Sequence, residues 1–148
     1  MTGRTATGQC LCGAVRFEAR DAPDTFGVCH CEMCRRWTGS ALLEVSVPIV
    51  SVIWQGEAHI AKRRTSGWAE RAWCRDCGSA LYYKVTMEGE FAGNFDIPLG
   101  LFDDPNPFTM SHEIYIDHKP ASFAFAGDGR KQLTRQDCID RFSLLGET

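Results

Sequence analysis

The sequence predicts a mainly-β fold of many short strands in one domain, residues 1–148, with a core over about 8–123 and a helical tail over about 133–146. Three observations carry this expectation. Alternating or β-branched runs of about five residues recur along the chain, with turn residues between them. Helical periodicity is convincing only near the end. Seven of the eight cysteines fall in spaced clusters, so a metal site can staple segments that a small β domain would otherwise hold only weakly.

A chain of 148 residues can bury a core of its own, and 44% hydrophobic with 24% charged residues carries no signature of disorder. The net charge of −3, with both signs scattered, argues against a nucleic-acid partner, which asks for a basic face. No run of ~20 apolar residues is present to span a membrane. The segment Met1 to Gly8 lacks the apolar stretch of a signal peptide. The expected location is therefore the cytoplasm, where reducing conditions make spaced cysteines metal ligands rather than disulfides. The sequence is compatible with a homodimer and does not fix an oligomeric state.

In chain order, residues 1–7 are polar and expected to be loose. After the first cysteine pair, Val15, Phe17 and Ala19 alternate onto one face of a strand. Pro23-Asp24 breaks it, and Thr25 to Val28 leads as a short strand into Cys29-His30-Cys31-Glu32-Met33-Cys34. Cys31 and Cys34, at i and i+3, share a face if one helical turn follows, and Gly39 ends that turn. Strands are expected at 41–47, 49–54, 59–63, 69–73, 81–85, 90–95 and 112–117, with an irregular stretch around Pro98, Pro105 and Pro107. In the tail, Thr134 and Asp137 form a capping-box pattern, and Cys138, Phe142 and Leu145 follow on one helical face.

The cysteines sort by their neighbours. A structural zinc wants four tetrahedral thiolates, usually from two knuckles in which a glycine after the second cysteine relaxes the backbone. Cys12-Gly13 and Cys77-Gly78 have that glycine, whereas Cys34 is followed by Arg35. Cys10, Cys12, Cys74 and Cys77 are therefore the natural closed set. Cys29, Cys31 and Cys34 remain, and three protein ligands plus an exchangeable position is the pattern of a reactive zinc. A three-thiolate zinc has a formal charge of −1; it is a poor generator of hydroxide and better suited to holding an incoming thiol as thiolate. Two zinc ions follow, one structural and one catalytic.

Around the triad, Arg35 and Arg36 are candidates to pair with the carboxylates of an acidic ligand, or are simply a solvated face. Thr38, Gly39 and Ser40 offer hydroxyl and amide donors. A fourth ligand from His30, His59 or His112 would instead close a second structural site. His30 itself, between two ligands, is expected to point away from the metal. Cys138 reads as a buried small hydrophobe, and Trp54, Trp68 and Trp73 as core or pocket wall.

The segments Gly8 to Phe17, Cys29 to Cys34 with Thr38-Gly39-Ser40, and Trp73 to Leu81 together resemble the glutathione-dependent formaldehyde-activating family, also called the centromere protein V/GFA domain. The likeness runs from Gly8 to about Lys119 and includes all seven clustered cysteines. It implies an Mss4-like fold, a structural zinc on Cys10, Cys12, Cys74 and Cys77, and a catalytic zinc on Cys29, Cys31 and Cys34. It also implies a carbon–sulfur lyase whose reaction joins formaldehyde to the glutathione thiol as S-hydroxymethylglutathione. The later family motif departs here, reading Lys119-Pro120-Ala121-Ser122-Phe123 without a tryptophan. Two other functions compete with the lyase: a non-enzymatic zinc module for a protein partner, and a thiol or redox sensor that loses metal on oxidation.

Overall fold

Alternation of apolar and polar residues produces a sheet with two unlike faces, and the structure uses both. The computed structural model describes residues 4–89 and 92–141. The strands are β1 (Arg4–Gln9), β2 (Arg16–Ala22), β3 (Thr25–Cys29), β4 (Leu42–Pro48), β5 (Val52–Gln55), β6 (Ile60–Arg64), β7 (Ala69–Cys74), β8 (Ala80–Val85), β9 (Asn94–Pro98), β10 (Thr109–Ile114) and β11 (Lys131–Leu133). Two helices accompany them, α1 (Glu32–Thr38) and α2 (Arg135–Arg141). The mainly-β expectation holds, with the short helix near the C-terminal end.

Strands β1, β2 and β5 form a small antiparallel sheet. The other eight form a large sheet in the order β11-β10-β3-β4-β9-β8-β7-β6. Its pairs are antiparallel except β3 with β10 and β10 with β11, which bring distant segments side by side in parallel. The small sheet packs on one face of the large one. Val15, Phe17 and Ala19 meet Val45, Val47, Phe95 and Ile97 there, all buried. Trp54 joins this core, its ring 5.4 Å from Phe17 and 5.5 Å from Phe95.

Three expectations need adjusting. Residues 4–9 are not loose: Thr5 and Thr7 suit a strand, and β2 supplies the partner along almost all of β1. An Arg4–Asp24 ion pair at 2.5 Å and a Thr7–Asp103 hydrogen bond at 2.7 Å tie β1 down further. The strand expected at 90–95 lies at Asn94–Pro98, where Val45, Val47 and Ser46 of β4 find register partners; residues 90 and 91 are outside the described part. The late strand begins earlier and stops at Ile114, because Tyr115 takes a left-handed conformation (φ 57°) and the chain turns.

The tail helix starts as its capping box requires. The Thr134 N–H donates to Asp137 Oδ2 (2.9 Å), and the Asp137 N–H donates back to Thr134 Oγ1 (3.1 Å). Cys138 is buried, while Phe142 and Leu145 lie outside the described residues. Among the described residues no helix is long and apolar enough to cross a membrane.

Candidate metal centres and active site

The two knuckles form as their glycines predict. Gly13 and Gly78 both adopt left-handed backbone (φ 81° and 85°), which lets each chain turn back over its cysteines. The Gly13 N–H donates to Cys10 O (3.2 Å) and the Gly78 N–H to Cys74 O (2.8 Å). The sulfurs of Cys10, Cys12, Cys74 and Cys77 lie within 4.8 Å of one another, all as free thiols. Cys10 and Cys12 are 3.7 Å apart, and Cys12 and Cys74 are 3.9 Å apart. A tetrahedron with metal–sulfur bonds of about 2.3 Å has edges of about 3.8 Å, so the donor set has the size of a metal site. Amide and hydroxyl donors point at the sulfurs as well: Val15 N–H to Cys10 Sγ at 3.4 Å, and Ser79 Oγ 3.3 Å from Cys77 Sγ. The Ser79 hydroxyl is the main cause holding the Cys77 thiol down at about 5.

The second cluster stands where β3 passes into α1. Cys29 ends β3, and Cys31 caps α1 by accepting the Cys34 N–H on its sulfur at 3.4 Å. Gly39, left-handed at φ 85°, closes the helix; Cys31 is its extended N-cap rather than a helical residue, and the cap contact brings its sulfur beside that of Cys34 in the first turn. The three sulfurs lie within 4.8 Å of one another, and among the described residues no histidine or carboxylate joins them. Three thiols at this distance cannot all ionise unaided. Hydrogen bonds from Cys29 and then Cys34 hold Cys31 down at about 2, while Cys29 is pushed up, chiefly by its hydrogen bond to Cys31. A cation at their centre relieves that competition, so the donor set fits a metal ion with one side left open.

That open side faces a cavity of about 1170 Å³ on the second face of the large sheet. The cavity is lined by Cys29, Cys31 and Cys34, by the 65–68 loop with Trp68, and by α2. Neither this cavity nor a smaller one nearby is lined by the four knuckle cysteines.

Arg71 of β7, which the sequence reading passed over, is the basic group at the triad. It is 3% exposed, and both terminal nitrogens stand 3.8 Å from Cys34 Sγ. Its guanidinium lies between the rings of Trp37 (4.8 Å) and Tyr83 (4.6 Å), which fixes its direction. Arg35, Arg36, Gly39 and Ser40 line the smaller cavity, of about 580 Å³. Arg36 pairs with Glu32 at 2.8 Å, both side chains well exposed. The Thr38 hydroxyl donates to Cys34 O (3.0 Å) and Ser40 O (2.7 Å), holding the helix end together.

His30 points away from the thiols, as expected of a residue between two of them. It is fully buried, and its Nε2 meets Glu113 Oε1 at 2.7 Å. Glu113 in turn accepts from Arg130 Nε at 2.6 Å and Gln132 Nε2 at 3.1 Å. The His30 N–H also donates to Ile114 O at 3.1 Å, so β10 and the tail fix the loop that carries Cys29 and Cys31. His59 is occupied by Asp76 (2.7 Å) and His112 by the Ser111 hydroxyl (2.8 Å), so neither closes the triad.

The family model for the glutathione-dependent formaldehyde-activating enzyme matches residues 5–118. The chain belongs to that family. An uncharacterized lyase of Schizosaccharomyces pombe is 32% identical to it over 119 residues, covering 80% of this chain and 84% of the yeast protein. A Rhodobacter sphaeroides protein of known crystal structure shares the fold, with a TM-score of 0.56 at 17% identity, over 71% of this chain and 99% of its own. In this formaldehyde-activating family member, both cysteine groups are placed to hold a metal ion.

Proposed function

We propose that the chain is a zinc-dependent carbon–sulfur lyase that makes and breaks the adduct of a thiol with a small aldehyde, with glutathione and formaldehyde as the leading pair. The observation that carries this reading is the contrast between the two cysteine groups. Four thiols form a set that neither cavity reaches, and three thiols stand at the wall of a large one. Membership of the formaldehyde-activating family and the lyase name of the yeast relative support the reaction class.

Cys29, Cys31 and Cys34 would hold the catalytic zinc, and Cys10, Cys12, Cys74 and Cys77 the structural one. When bound at the triad, zinc supplies a positive centre that keeps an incoming thiol deprotonated at neutral pH. Arg71 offsets the charge of the three thiolates, since its guanidinium is buried against Cys34 and held by two aromatic rings. The buried His30–Glu113–Arg130 link keeps the Cys29–Cys31 loop in one conformation. In the bond-forming direction the substrate sulfur attacks the carbonyl carbon, the carbonyl electron pair moves to oxygen, and that oxygen takes a proton. In reverse the hydroxyl loses its proton, the carbonyl re-forms and the carbon–sulfur bond breaks.

The test is titration of zinc-supplemented protein with glutathione, read by tryptophan fluorescence, since Trp68 lines the cavity and Trp37 stacks on Arg71. Saturable binding that Cys31→Ser abolishes is expected, together with formation of S-hydroxymethylglutathione when formaldehyde is added. Binding that survives Cys31→Ser would move the thiol site elsewhere and contradict the reading.

A further inference from the structure

One residue in the wall of the large cavity is held in a backbone conformation that its side chain disfavours. Tyr115 follows β10 with a left-handed backbone, φ 57° and ψ 42°. Asp21 shares that region (φ 63°), but aspartate tolerates it; a bulky residue adopts it only where the surroundings impose it, and such positions concentrate at functional sites. The surroundings of Tyr115 do impose it. Ile114, the residue before it, stands in register with Cys29 and packs against the triad. The Tyr115 carbonyl accepts the His118 N–H at 2.9 Å, and the two rings meet edge-on with centroids 5.5 Å apart. The turn is pinned to the tail in its turn, where the Arg135 N–H donates to Asp117 Oδ1 at 2.8 Å.

The Tyr115 side chain is half-buried, lines the same cavity as Cys29, Cys31 and Cys34, and among the described residues its hydroxyl makes no hydrogen bond. Other donors of that wall are already engaged. The Ser46 hydroxyl donates to Asp96 Oδ1 at 2.5 Å, the Ser111 hydroxyl to Phe26 O at 3.3 Å, and both terminal nitrogens of Arg71 face Cys34 Sγ at 3.8 Å. Burial raises the Tyr115 phenol above its ordinary value, and the thiolates of Cys138, Cys31 and Cys29 raise it further, against a smaller lowering by Arg135. Two of those three thiolates belong to the triad, so the hydroxyl stands within electrostatic reach of the sulfurs, and it stays protonated at neutral pH.

We infer that the Tyr115 hydroxyl is a catalytic hydrogen-bond donor to the aldehyde oxygen. As the substrate sulfur forms its bond to the carbonyl carbon, the carbonyl electron pair moves to oxygen, and the phenol O–H donates to that oxygen as its charge grows. The phenol keeps its own proton: the thiol releases one to water on ionising, and the product hydroxyl takes one from water. In reverse the hydroxyl gives its proton to water, Tyr115 stabilises the oxygen left charged, and the carbonyl re-forms as the carbon–sulfur bond breaks. A donor fixed in place by its backbone needs no reorganisation when the charge appears, which gives the strained turn a function. This role rests on the proposed lyase chemistry at the triad and holds for any thiol that binds there.

The experiment follows exchange between formaldehyde and S-hydroxymethylglutathione by NMR with zinc-loaded full-length protein, the uncatalysed rate subtracted. Tyr115→Phe keeps the ring and removes only the hydroxyl. It should lower kcat by about 100-fold or more, the usual loss on removing one such donor, with glutathione affinity by calorimetry and zinc content both within about 2-fold of the unaltered protein. A residue that merely shapes the triad would instead lose zinc or thiol affinity along with kcat, and that result overturns the inference. A kcat within about 3-fold of the unaltered protein overturns it too. Either result leaves the lyase reading standing. Failure of the unaltered protein to speed the exchange overturns the lyase reading, and the inference with it.

Discussion

Glu113→Gln tests a polar link whose His30 and Glu113 ends are both fully buried, and its effect can be worked from the geometry. Glu113 is 1% exposed and joins His30 (2.7 Å), Arg130 (2.6 Å) and Gln132 (3.1 Å). Burial alone would raise its pKa, but hydrogen bonds from His30, Gln132 and Arg130 outweigh burial and hold it at about 2, against an ordinary 4.5. At about 1.4 kcal/mol per pH unit the difference corresponds to roughly 3 kcal/mol at neutral pH. Breaking a buried ion pair gives the same order, about 3–5 kcal/mol. The folded pKa lies below the unfolded one, so the stabilisation is complete above about pH 4.5 and is lost as pH falls toward 2. Urea unfolding of wild type and Glu113→Gln should therefore differ by about 3 kcal/mol at pH 7, or roughly 6–12 °C in Tm. The gap should narrow to roughly 1.4 kcal/mol at pH 3. A gap below about 1 kcal/mol at pH 7, or one that does not shrink on acidification, would refute the assignment of Glu113 as the charged centre of this link.

Arg71→Leu should weaken metal retention at the triad by about 10–100-fold and leave the knuckle site unchanged, measured by competition with a chromophoric chelator. Equal loss at both sites would mean that Arg71 serves the fold as a whole. Arg36→Ala should change stability by less than about 0.5 kcal/mol in thermal unfolding, because its partner Glu32 is as exposed as itself; a larger loss would show a role that the exposed ion pair does not explain.

The sorting of the cysteines was legible because it depends on local backbone chemistry. A glycine after Cys12 and Cys77, and none after Cys34, separates two knuckles from a helix cap, and the structure gathers the sulfurs in those same groups of four and three. The strand with Val15, Phe17 and Ala19 inward and the Thr134–Asp137 cap were legible for the same reason. What the pattern could not supply is long-range pairing. Nothing local says that β10 runs parallel beside β3, so the Glu113 partner of His30, 83 residues away, was invisible. Arg71 left a faint signal, an arginine two positions from Ala69 on a strand with small inward residues, but only the curl of the sheet brings it to Cys34. Arg35 and Arg36 drew attention by adjacency in sequence, and helix geometry carries them to the other cavity. Glu44 and Asp96 carry no local signal in the sequence; register across β4 and β9 places them in one cavity wall.

The central claim is that one cysteine group holds the fold and the other does chemistry, and paired serine variants test it most directly. Cys77 joins residues near 10 to residues near 77, so Cys77→Ser releases a clamp between distant segments. Structural zinc binding is folding free energy, and its loss can exceed a marginal stability of roughly 5–15 kcal/mol. Cys31 lies in one turn with its two partners and joins no distant segments through sulfur. Thermal unfolding and zinc content of both variants, measured on zinc-supplemented protein, are expected to show about two zinc ions in wild type. Cys31→Ser should remain folded with about one zinc and no thiol binding, and Cys77→Ser should fail to fold cooperatively. If Cys31→Ser unfolds as severely as Cys77→Ser, the triad is a second structural site and the division of labour is wrong.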